Sequence, residues 1–300
     1  MNLNHYTSIT QFQMISRTVL RTGKYFSEHH GVLPAVWFTT SENAEGHGLP
    51  DGSEMSKVEI DIVKSRGENP KNNFSTNKKS IKIVVDSAQL RPFNKKRPEA
   101  GGLISFLDFS KFLGETPEYR RKLAVRGFYT SLPDVNNAEI LRLSKELNTK
   151  EKTWYVYLGE DIPVEKISRV EGMSNGTYSE FDFDLHARPA LNELGFFPVS
   201  EGMYEELAGL WGELPRFQYP VVSCICKSPE DIPSVQFMGR STAWRISINE
   251  PAVLPDPGHR APVNVEEFVK VVESHHSELM QLWEEASESY YTFYPENRPS

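Results

Sequence analysis

The stretch MNLNHYTS, residues 1–8, decides how the chain opens. Leu3 to Tyr6 is a candidate for a short strand. Ser8 stands three residues before Gln11, which is the spacing of a helix capping box, and apolar residues then recur at helical spacing. The sequence therefore predicts a strand that leads directly into a helix, with the side chains of His5 and Thr7 at the junction.

A second informative stretch is VWFTTS, residues 36–41, at the end of an apolar, aromatic and β-branched run. This composition predicts a strand over Val32 to Thr40, and the Gly-, Asn-, Asp- and Ser-rich residues 42–54 predict a loop after it. Alternation or β-branched composition predicts further strands at Lys57 to Val63, Ile81 to Asp86, Trp154 to Leu158 and Ile167 to Val170.

Length and composition limit the class of protein. A chain of 300 residues can form one large domain or two of ordinary size. No apolar run approaches the roughly 18 residues of a membrane span, and the N-terminus lacks a signal-peptide pattern, so we expect a cytoplasmic protein without a membrane partner. Cys224 and Cys226 are too few for a disulfide framework or a zinc site, and we expect no metal.

The charge is unevenly distributed. Residues 1–172 contain 25 Lys and Arg against 21 Asp and Glu, a net charge of +4, whereas residues 173–300 contain 8 against 20, a net charge of −12. Residues 172–180 are rich in Gly, Ser, Asn and Thr and are interpreted as a linker between two domains, 1–172 and 173–300. The basic half suits an anionic ligand and the acidic half suits a basic partner, although both could be ordinary solvated surfaces.

The second half reads as a smaller α+β domain. A helix is predicted from Met203 to Trp211, and strands are predicted at Pro220 to Lys227 and Ala243 to Ile248. A long amphipathic helix is then predicted, capped by Asn264, with an apolar stripe that includes His275 and ends near residue 286.

Three segments of the first half, taken in order, resemble the ADP-ribosyltransferase superfamily, nearer its diphtheria-toxin and poly(ADP-ribose) polymerase branch. His5-Tyr6-Thr7 is similar to the His-Gly-Thr or His-x-Ser strand of that family. The stretch 36–41 looks like its aromatic strand and serine-rich turn, and Trp154 to Tyr157 resembles a late strand that reads Glu-Tyr-Ile-Val-Tyr in the polymerases. The resemblance covers roughly residues 1–172 and implies an α+β fold with a split mixed β-sheet.

The resemblance also implies that NAD is the substrate of the first domain. In the family the first histidine hydrogen-bonds the adenosine ribose and the neighbouring backbone holds the nicotinamide amide, so His5 and the backbone of Tyr6 and Thr7 are expected to do this. An aromatic ring shields the nicotinamide, and either Trp37 or Phe38 could supply it, because side chains alternate along a strand.

Three further side chains complete the expected NAD site. Thr39 and Ser41 share a face of the strand and could meet a ribose hydroxyl or a phosphate. His47 lies in the loop after this strand, which would overhang the site, and is a candidate for substrate contact.

The sequence departs from the family at the catalytic acid. The family's glutamate stabilises the positive charge that develops as nicotinamide leaves, and the matching position here is Thr153, which has no charge. Glu151 and Glu160 are the candidates for a displaced acid. Alternatively the chain resembles the tRNA 2′-phosphotransferase branch, which uses histidine and arginines, or it binds NAD or a nucleotide without catalysis as an interaction protein. The candidate phosphate contacts are Arg91, Arg120, Arg121 and Arg126, because a guanidinium meets phosphate oxygens in a bidentate manner.

The expected function is therefore that of an NAD-dependent ADP-ribosyltransferase, a glycosyltransferase that acts on a protein or nucleic-acid acceptor. The expected catalytic residues are His5, Glu151 and Glu160. The alternatives above remain open at this stage, because the sequence alone does not place an acid beside His5.

Overall fold

A computed structural model describes residues 1–16, 19–27, 29–55, 57, 60–61, 74–114, 142, 145, 150–193, 195–211, 221–228, 230–238, 243–254 and 264–298. The fold is mixed α+β, with antiparallel sheets and few helices in this part of the chain. The chain divides into two compact units, the first comprising Met1–Ile15 and Val19–Phe181 and the second containing Asp182–Ser300. None of the helices described is long and apolar enough to cross a membrane.

The first unit is built mainly from strands. They are β1 (Asn2–Thr7), β2 (Val19–Leu20), β3 (Gly23–Ser27), β4 (Gly31–Thr39), β5 (Ile81–Asp86), β6 (Gly102–Ser105), β7 (Trp154–Leu158), β8 (Ile162–Pro163), β9 (Ile167–Ser174) and β10 (Thr177–Glu180). The α-helices whose bounds are described in full are α1 (Ile9–Ser16) and α2 (Phe106–Phe112). The strand and helix predicted from residues 1–8 are both present.

An eight-stranded sheet places β1 at its centre, in the order β10-β9-β5-β1-β4-β7-β6, with β3 paired to β4. All pairings between its described strands are antiparallel, so the expectation of a mixed sheet is wrong for this part of the chain. Strands β2 and β8 form a separate two-stranded sheet. Strand β1 pairs along its whole length with β5 but with β4 only at Asn4 and Thr39. The N-terminal strand is therefore an interior strand, and His5 lies near the middle of the sheet.

One face of this sheet is covered by α2. Phe106 and Phe109 of the helix pack in one buried cluster with Ala35, Val156 and Leu158 of the central strands. Ser105 caps the helix, because its hydroxyl accepts a hydrogen bond from the backbone amide of the helix's first turn. Since side chains alternate along a strand, the residues next to these in sequence point to the opposite face of the sheet, away from α2.

Two expectations for this unit are corrected by the structure. Residues 172–180 are not a linker, since β9 and β10 form a hairpin and Glu171 pairs with Glu180. The first unit accordingly ends at Phe181 rather than at Gly172. Lys57, Ile60 and Asp61, the described residues of the strand expected at Lys57 to Val63, are helical.

The second unit contains a five-stranded antiparallel sheet and four α-helices among its described residues. The strands are β11 (Phe197–Pro198), β12 (Val221–Cys224), β13 (Ser234–Met238), β14 (Ala243–Ser247) and β15 (Val253–Leu254), paired in chain order. The helices are α3 (Arg188–Glu193), α4 (Glu201–Leu210), α5 (Val265–Ser274) and α6 (His276–Phe293). One face of the sheet packs on α4, α5 and α6 through a cluster that includes Phe237, Trp244 and Phe268.

The long helix predicted after Asn264 is interrupted at His275, which lies between α5 and α6. Its imidazole contacts the carboxylates of Glu278, at 3.1 Å, and Glu206, at 3.2 Å. Burial disfavours the charged imidazole, but the two carboxylates outweigh it and raise the pKa of His275. His275, which was expected on a continuous apolar stripe, instead forms a polar contact at the junction between α5 and α6.

Candidate functional site

His5 is held in one orientation by its neighbour strand. Its Nδ1 atom lies 2.9 Å from the backbone carbonyl oxygen of Trp37. Because a carbonyl only accepts, Nδ1 carries the proton and donates, which leaves Nε2 of the neutral ring as an acceptor. Burial lowers the pKa of His5, more than the hydrogen bond to Trp37 raises it, so the neutral ring is favoured at pH 7.

Two aromatic residues share the face of His5. The His5 and Phe38 rings meet edge to face with centroids 6.0 Å apart. Phe38 pairs with Tyr155 of β7, and paired residues point to the same side of a sheet. His5, Phe38 and Tyr155, hereafter the His5 row, therefore lie side by side on three adjacent strands.

Exposure differs along the His5 row. Phe38 is only 3% exposed, so it serves as the floor of the row rather than as a stacking surface. His5 and Tyr155 are both partly exposed. Tyr155 lies in the Trp154 to Tyr157 segment but was not predicted as a site residue, because alternation alone does not say which face of the sheet it occupies.

Trp37 lies on the opposite face of the sheet. Its ring packs against Tyr25, Phe106 and Phe109, with centroid distances of 5.8 to 6.1 Å. Between the two candidate aromatic residues, Phe38 is thus the one that faces the same side as His5. Trp37 contacts the His5 row through its backbone carbonyl, which accepts from His5, and not through its ring.

The side chains of Tyr6 and Thr7 are occupied within the protein. The Tyr6 hydroxyl donates to the carbonyl oxygen of Ser41 at 3.1 Å, and its ring stacks on His47. The buried hydroxyl of Thr7 donates to the side-chain oxygen of Gln11 at 3.1 Å, linking β1 to α1. These two side chains fix the strand, so any contact they make with a ligand falls to their backbone.

Thr153 lies in a 3-10 turn, Glu151–Thr153, that precedes β7. A chain of hydrogen bonds runs from the Ser41 amide to the Thr39 hydroxyl at 3.0 Å, on to the Thr153 hydroxyl at 2.7 Å, and then to the Lys150 carbonyl at 2.7 Å. An amide only donates and a carbonyl only accepts, so both hydroxyl protons point the same way. We call this arrangement the hydroxyl chain.

The two candidate acids lie at opposite ends of β7. Glu151 belongs to the 3-10 turn and not to β7, which begins at Trp154. One of its carboxylate oxygens is buried without a hydrogen-bond partner among the described residues. Nearby, the Lys150 ammonium donates to the Ser41 hydroxyl at 3.2 Å, which joins this turn to the end of β4.

Glu160 follows the other end of β7. Its carboxylate accepts a hydrogen bond from the Tyr157 hydroxyl at 2.5 Å and lies 3.7 Å from the Arg91 guanidinium. Burial and the adjacent carboxylate raise the pKa of Tyr157 to about 12, so the phenol stays protonated and keeps donating. Glu160 is therefore engaged with its own strand and with Arg91.

His47 has no free ring nitrogen. The Trp154 indole donates to Nδ1 at 2.7 Å, so the proton resides on Nε2, which donates to the Asn43 carbonyl at 3.1 Å. Burial, reinforced by Lys150, lowers the pKa of His47 to about 4. The neutral ring therefore anchors the loop after β4 and offers no nitrogen to a substrate.

The structure thus brings together part of the expected site. Nε2 of His5 has no hydrogen-bond partner among the described residues and lies on the same face of the sheet as Phe38 and Tyr155. Thr39 alternates to the opposite face, with Trp37, and the hydroxyl chain joins it to the turn that contains Glu151. Arg120, Arg121 and Arg126 lie outside the described residues. Comparison of the chain with protein-family models, with curated proteins and with solved structures found no match.

Proposed function

We propose that the first unit binds NAD on the face of His5 and transfers ADP-ribose to a macromolecular acceptor. The observation that carries the proposal is the fixed neutral imidazole of His5, whose Nε2 is left as an acceptor at the centre of the sheet. A ribose hydroxyl could donate to this atom. The split sheet of the ADP-ribosyltransferases belongs to the same proposal, supported by the order of the His5, Phe38 and Tyr155 strands.

In this proposal Tyr155 supplies the ring that stacks on nicotinamide, because Phe38 is buried and Trp37 faces the other side. Aromatic rings shield a reacting group from water while exposing a flat apolar surface to it. The backbone amides and carbonyls of Tyr6 and Thr7 lie next to His5 on the same strand and would hold the amide of nicotinamide.

Glu151 is the preferred acid for transfer. Its buried oxygen lacks a described partner, whereas the carboxylate of Glu160 already accepts from Tyr157. In the reaction the bond between C1′ of the ribose and the nicotinamide nitrogen breaks, and its electron pair neutralises the pyridinium. The acceptor's oxygen or nitrogen bonds to C1′ and gives up a proton, while a carboxylate stabilises the positive charge on the ribose.

The proposal is tested by incubating the full chain with NAD and candidate acceptors, and measuring nicotinamide release by chromatography and ADP-ribose addition by mass spectrometry. Loss of one neutral hydrogen bond in His5→Ala should weaken NAD binding about 5- to 10-fold. Glu151→Gln should slow transfer about 100- to 1,000-fold with little change in NAD affinity. His29→Gln, which changes an exposed histidine elsewhere, is the matched control.

Three outcomes would contradict parts of this assignment. Absence of NAD binding would remove the function altogether. If His5→Ala and His29→Gln weaken NAD binding equally, His5 does not form the NAD site. If Glu160→Gln slows transfer more than Glu151→Gln does, Glu160 is the acid.

NAD binding without transfer is the second candidate function. It is favoured by the hydroxyl chain, which uses the hydroxyl of Thr153 inside the protein at the position where the family carries its glutamate. Calorimetry that shows NAD binding, together with no release of nicotinamide in the presence of any acceptor, would select this alternative. A tRNA 2′-phosphotransferase-like activity would instead appear as loss of a 2′-phosphate from the acceptor RNA.

A further inference from the structure

A cleft of about 500 Å³ lies at the β6 edge of the first unit's sheet. The segment that lines it follows β5 and runs beside β6, since the Leu103 amide donates to the Arg91 carbonyl at 2.7 Å and the Phe93 amide donates to the Leu103 carbonyl at 3.0 Å. The side chains that matter for its chemistry are those of Arg91, Phe93, Asn94, Lys95 and Arg97. This cleft is distinct from the His5 row.

The cleft is cationic. Lys95 and Arg97 are exposed and form no ion pair with any residue that the structure describes. Arg91 donates to the carbonyl oxygen of Ala100, and the 3.7 Å separation from Glu160 neutralises it only in part, since its side chain is 48% exposed. Lys95 feels the charge of Asp108 but forms no ion pair with it, so its ammonium and the Arg97 guanidinium both remain open to a ligand. Exposed cations of this kind favour an anionic ligand.

The backbone of the cleft is fixed by local hydrogen bonds. The Asn94 side chain accepts from the Lys96 amide at 2.9 Å, and the Asn94 carbonyl accepts from the Arg97 amide at 3.0 Å. Gly101 closes the cleft with φ of +68°, and a Cβ atom there would lie 2.1 Å from the carbonyl oxygen of Leu158. The cations are therefore carried on a defined turn.

An aromatic ring lies among these cations. Phe93 lines the cleft, is partly exposed, and is supported from behind by an edge-to-face contact with Phe112 at a centroid distance of 5.3 Å. Cations that follow a phosphate backbone and an aromatic ring on which a base stacks are the two components of single-strand recognition. The charges spread along an open turn rather than surrounding a closed cavity, which favours a polymer over a free nucleotide.

We infer that this cleft binds a single-stranded nucleic acid, with Lys95 and Arg97 on phosphates and Phe93 against a base. Four strand spacings of about 4.8 Å separate the cleft segment from β1, which places it about 19 Å from His5. The cleft would therefore hold a strand rather than the NAD itself. Its further role as the acceptor site rests on the proposed ADP-ribosyl transfer, whereas strand binding does not.

The test is fluorescence anisotropy with a fluorescein-labelled single-stranded oligothymidylate of 12 nucleotides and the full chain, without NAD. Each phosphate contact makes the slope of the logarithm of the association constant against the logarithm of the salt concentration more negative by about 0.7. Each contact therefore strengthens binding about 5-fold when the salt falls from about 1 M to about 0.1 M. Lys95→Ala/Arg97→Ala should therefore bind about 25-fold more weakly at 0.1 M salt, with the slope reduced by about 1.4. Phe93→Leu should weaken binding with an unchanged slope.

The control is Lys24→Ala/Lys227→Ala, which removes the same charge from exposed positions outside the cleft. An equal loss in this variant would show that net charge and not the cleft governs binding, and would overturn the inference. Adenosine monophosphate that competes as well as the oligonucleotide would also overturn it in favour of a free-nucleotide site. Strand binding in a protein that does not bind NAD would separate this inference from the proposed function.

Discussion

Lys82 offers a quantitative test of how the first unit is stabilised. Its ammonium is almost fully buried in the sheet, with 5% of the side chain exposed, and contacts the carboxylates of Glu171 and, at 3.1 Å, of Glu42. It also lies 4.8 Å from the centroid of the Tyr178 ring. Glu171 is 15% exposed and additionally pairs with Arg169, whereas Glu42 is 60% exposed.

We expect Glu171→Gln to destabilise the unit more than Lys82→Met does. Removing one partner of a buried ion pair costs about 3–5 kcal/mol because a buried charge is left uncompensated. Glu42 still compensates Lys82 in part, so about 2 kcal/mol is expected, equivalent to a fall in melting temperature of about 4–8 °C. Lys82→Met retains the aliphatic stem and leaves Glu171 paired with Arg169, so a cost of about 1 kcal/mol is expected.

The assay is amide hydrogen exchange of β5 and β9 in the full chain, which reports the opening free energy of this sheet independently of the second unit. The double variant Lys82→Met/Glu171→Gln should be no less stable than Glu171→Gln alone, because the uncompensated ammonium is gone. Glu42→Gln, at the exposed partner, should cost less than about 1 kcal/mol. A cost below about 0.5 kcal/mol for Glu171→Gln, or strictly additive single effects, would refute this reasoning.

Three other predictions concern separate parts of the chain. Protonated His275 stabilises the α5–α6 junction through its two carboxylate partners, and because its pKa is raised this contribution should be lost as the pH rises through that pKa. The melting temperatures of wild type and His275→Gln, measured from about pH 6 to pH 8.5, should therefore converge at the upper end of this range. Gly101→Ala should cost about 2–4 kcal/mol in exchange of β6 and β7, against about 1 kcal/mol for Gly195→Ala, where no atom lies within 4 Å of the added carbon. Ser105→Ala should cost about 1 kcal/mol through loss of the α2 cap, measured by exchange of that helix.

The strands were predictable from the sequence where composition alone defines them. Strand β5, for example, spans the Ile81 to Asp86 predicted from its apolar alternation, and β7 spans Trp154 to Leu158. Strand order was not predictable, because it depends on long-range pairing. The central place of β1 follows from its two neighbours, which lie far along the chain.

The β9–β10 hairpin shows why one boundary was wrong. Residues 172–180 combine Gly, Asn and Ser, which is also the composition of a flexible connection. Asn175 and Gly176 have φ of +50° and +78°, the positive values that a two-residue type I′ turn requires. The Asn-Gly pair was therefore a hairpin signal within a stretch interpreted by composition as a linker.

The candidate site was predictable at the level of residue type but not of contact. Alternation could say that Trp37 and Phe38 face opposite sides, but only the structure assigns Phe38 to the side of His5. Sequence could not reveal that His47 is occupied at both ring nitrogens, or that the 3-10 turn removes Glu151 from the strand. These features depend on contacts between residues distant in sequence.

The hydroxyl chain has a consequence for how this site could change through inheritance. Thr39 and Thr153 each give one hydrogen bond and receive one in a fixed direction. A carboxylate at position 153 could receive from Thr39 but could not donate to the Lys150 carbonyl, which would keep only the hydrogen bond from the backbone amide of residue 153, at 2.8 Å. Two acceptor oxygens would then face each other across the gap that the Thr153 hydroxyl bridges. In a chain that carries an acid at position 153, the turn before β7 should therefore have a different hydrogen-bond arrangement from the hydroxyl chain seen here.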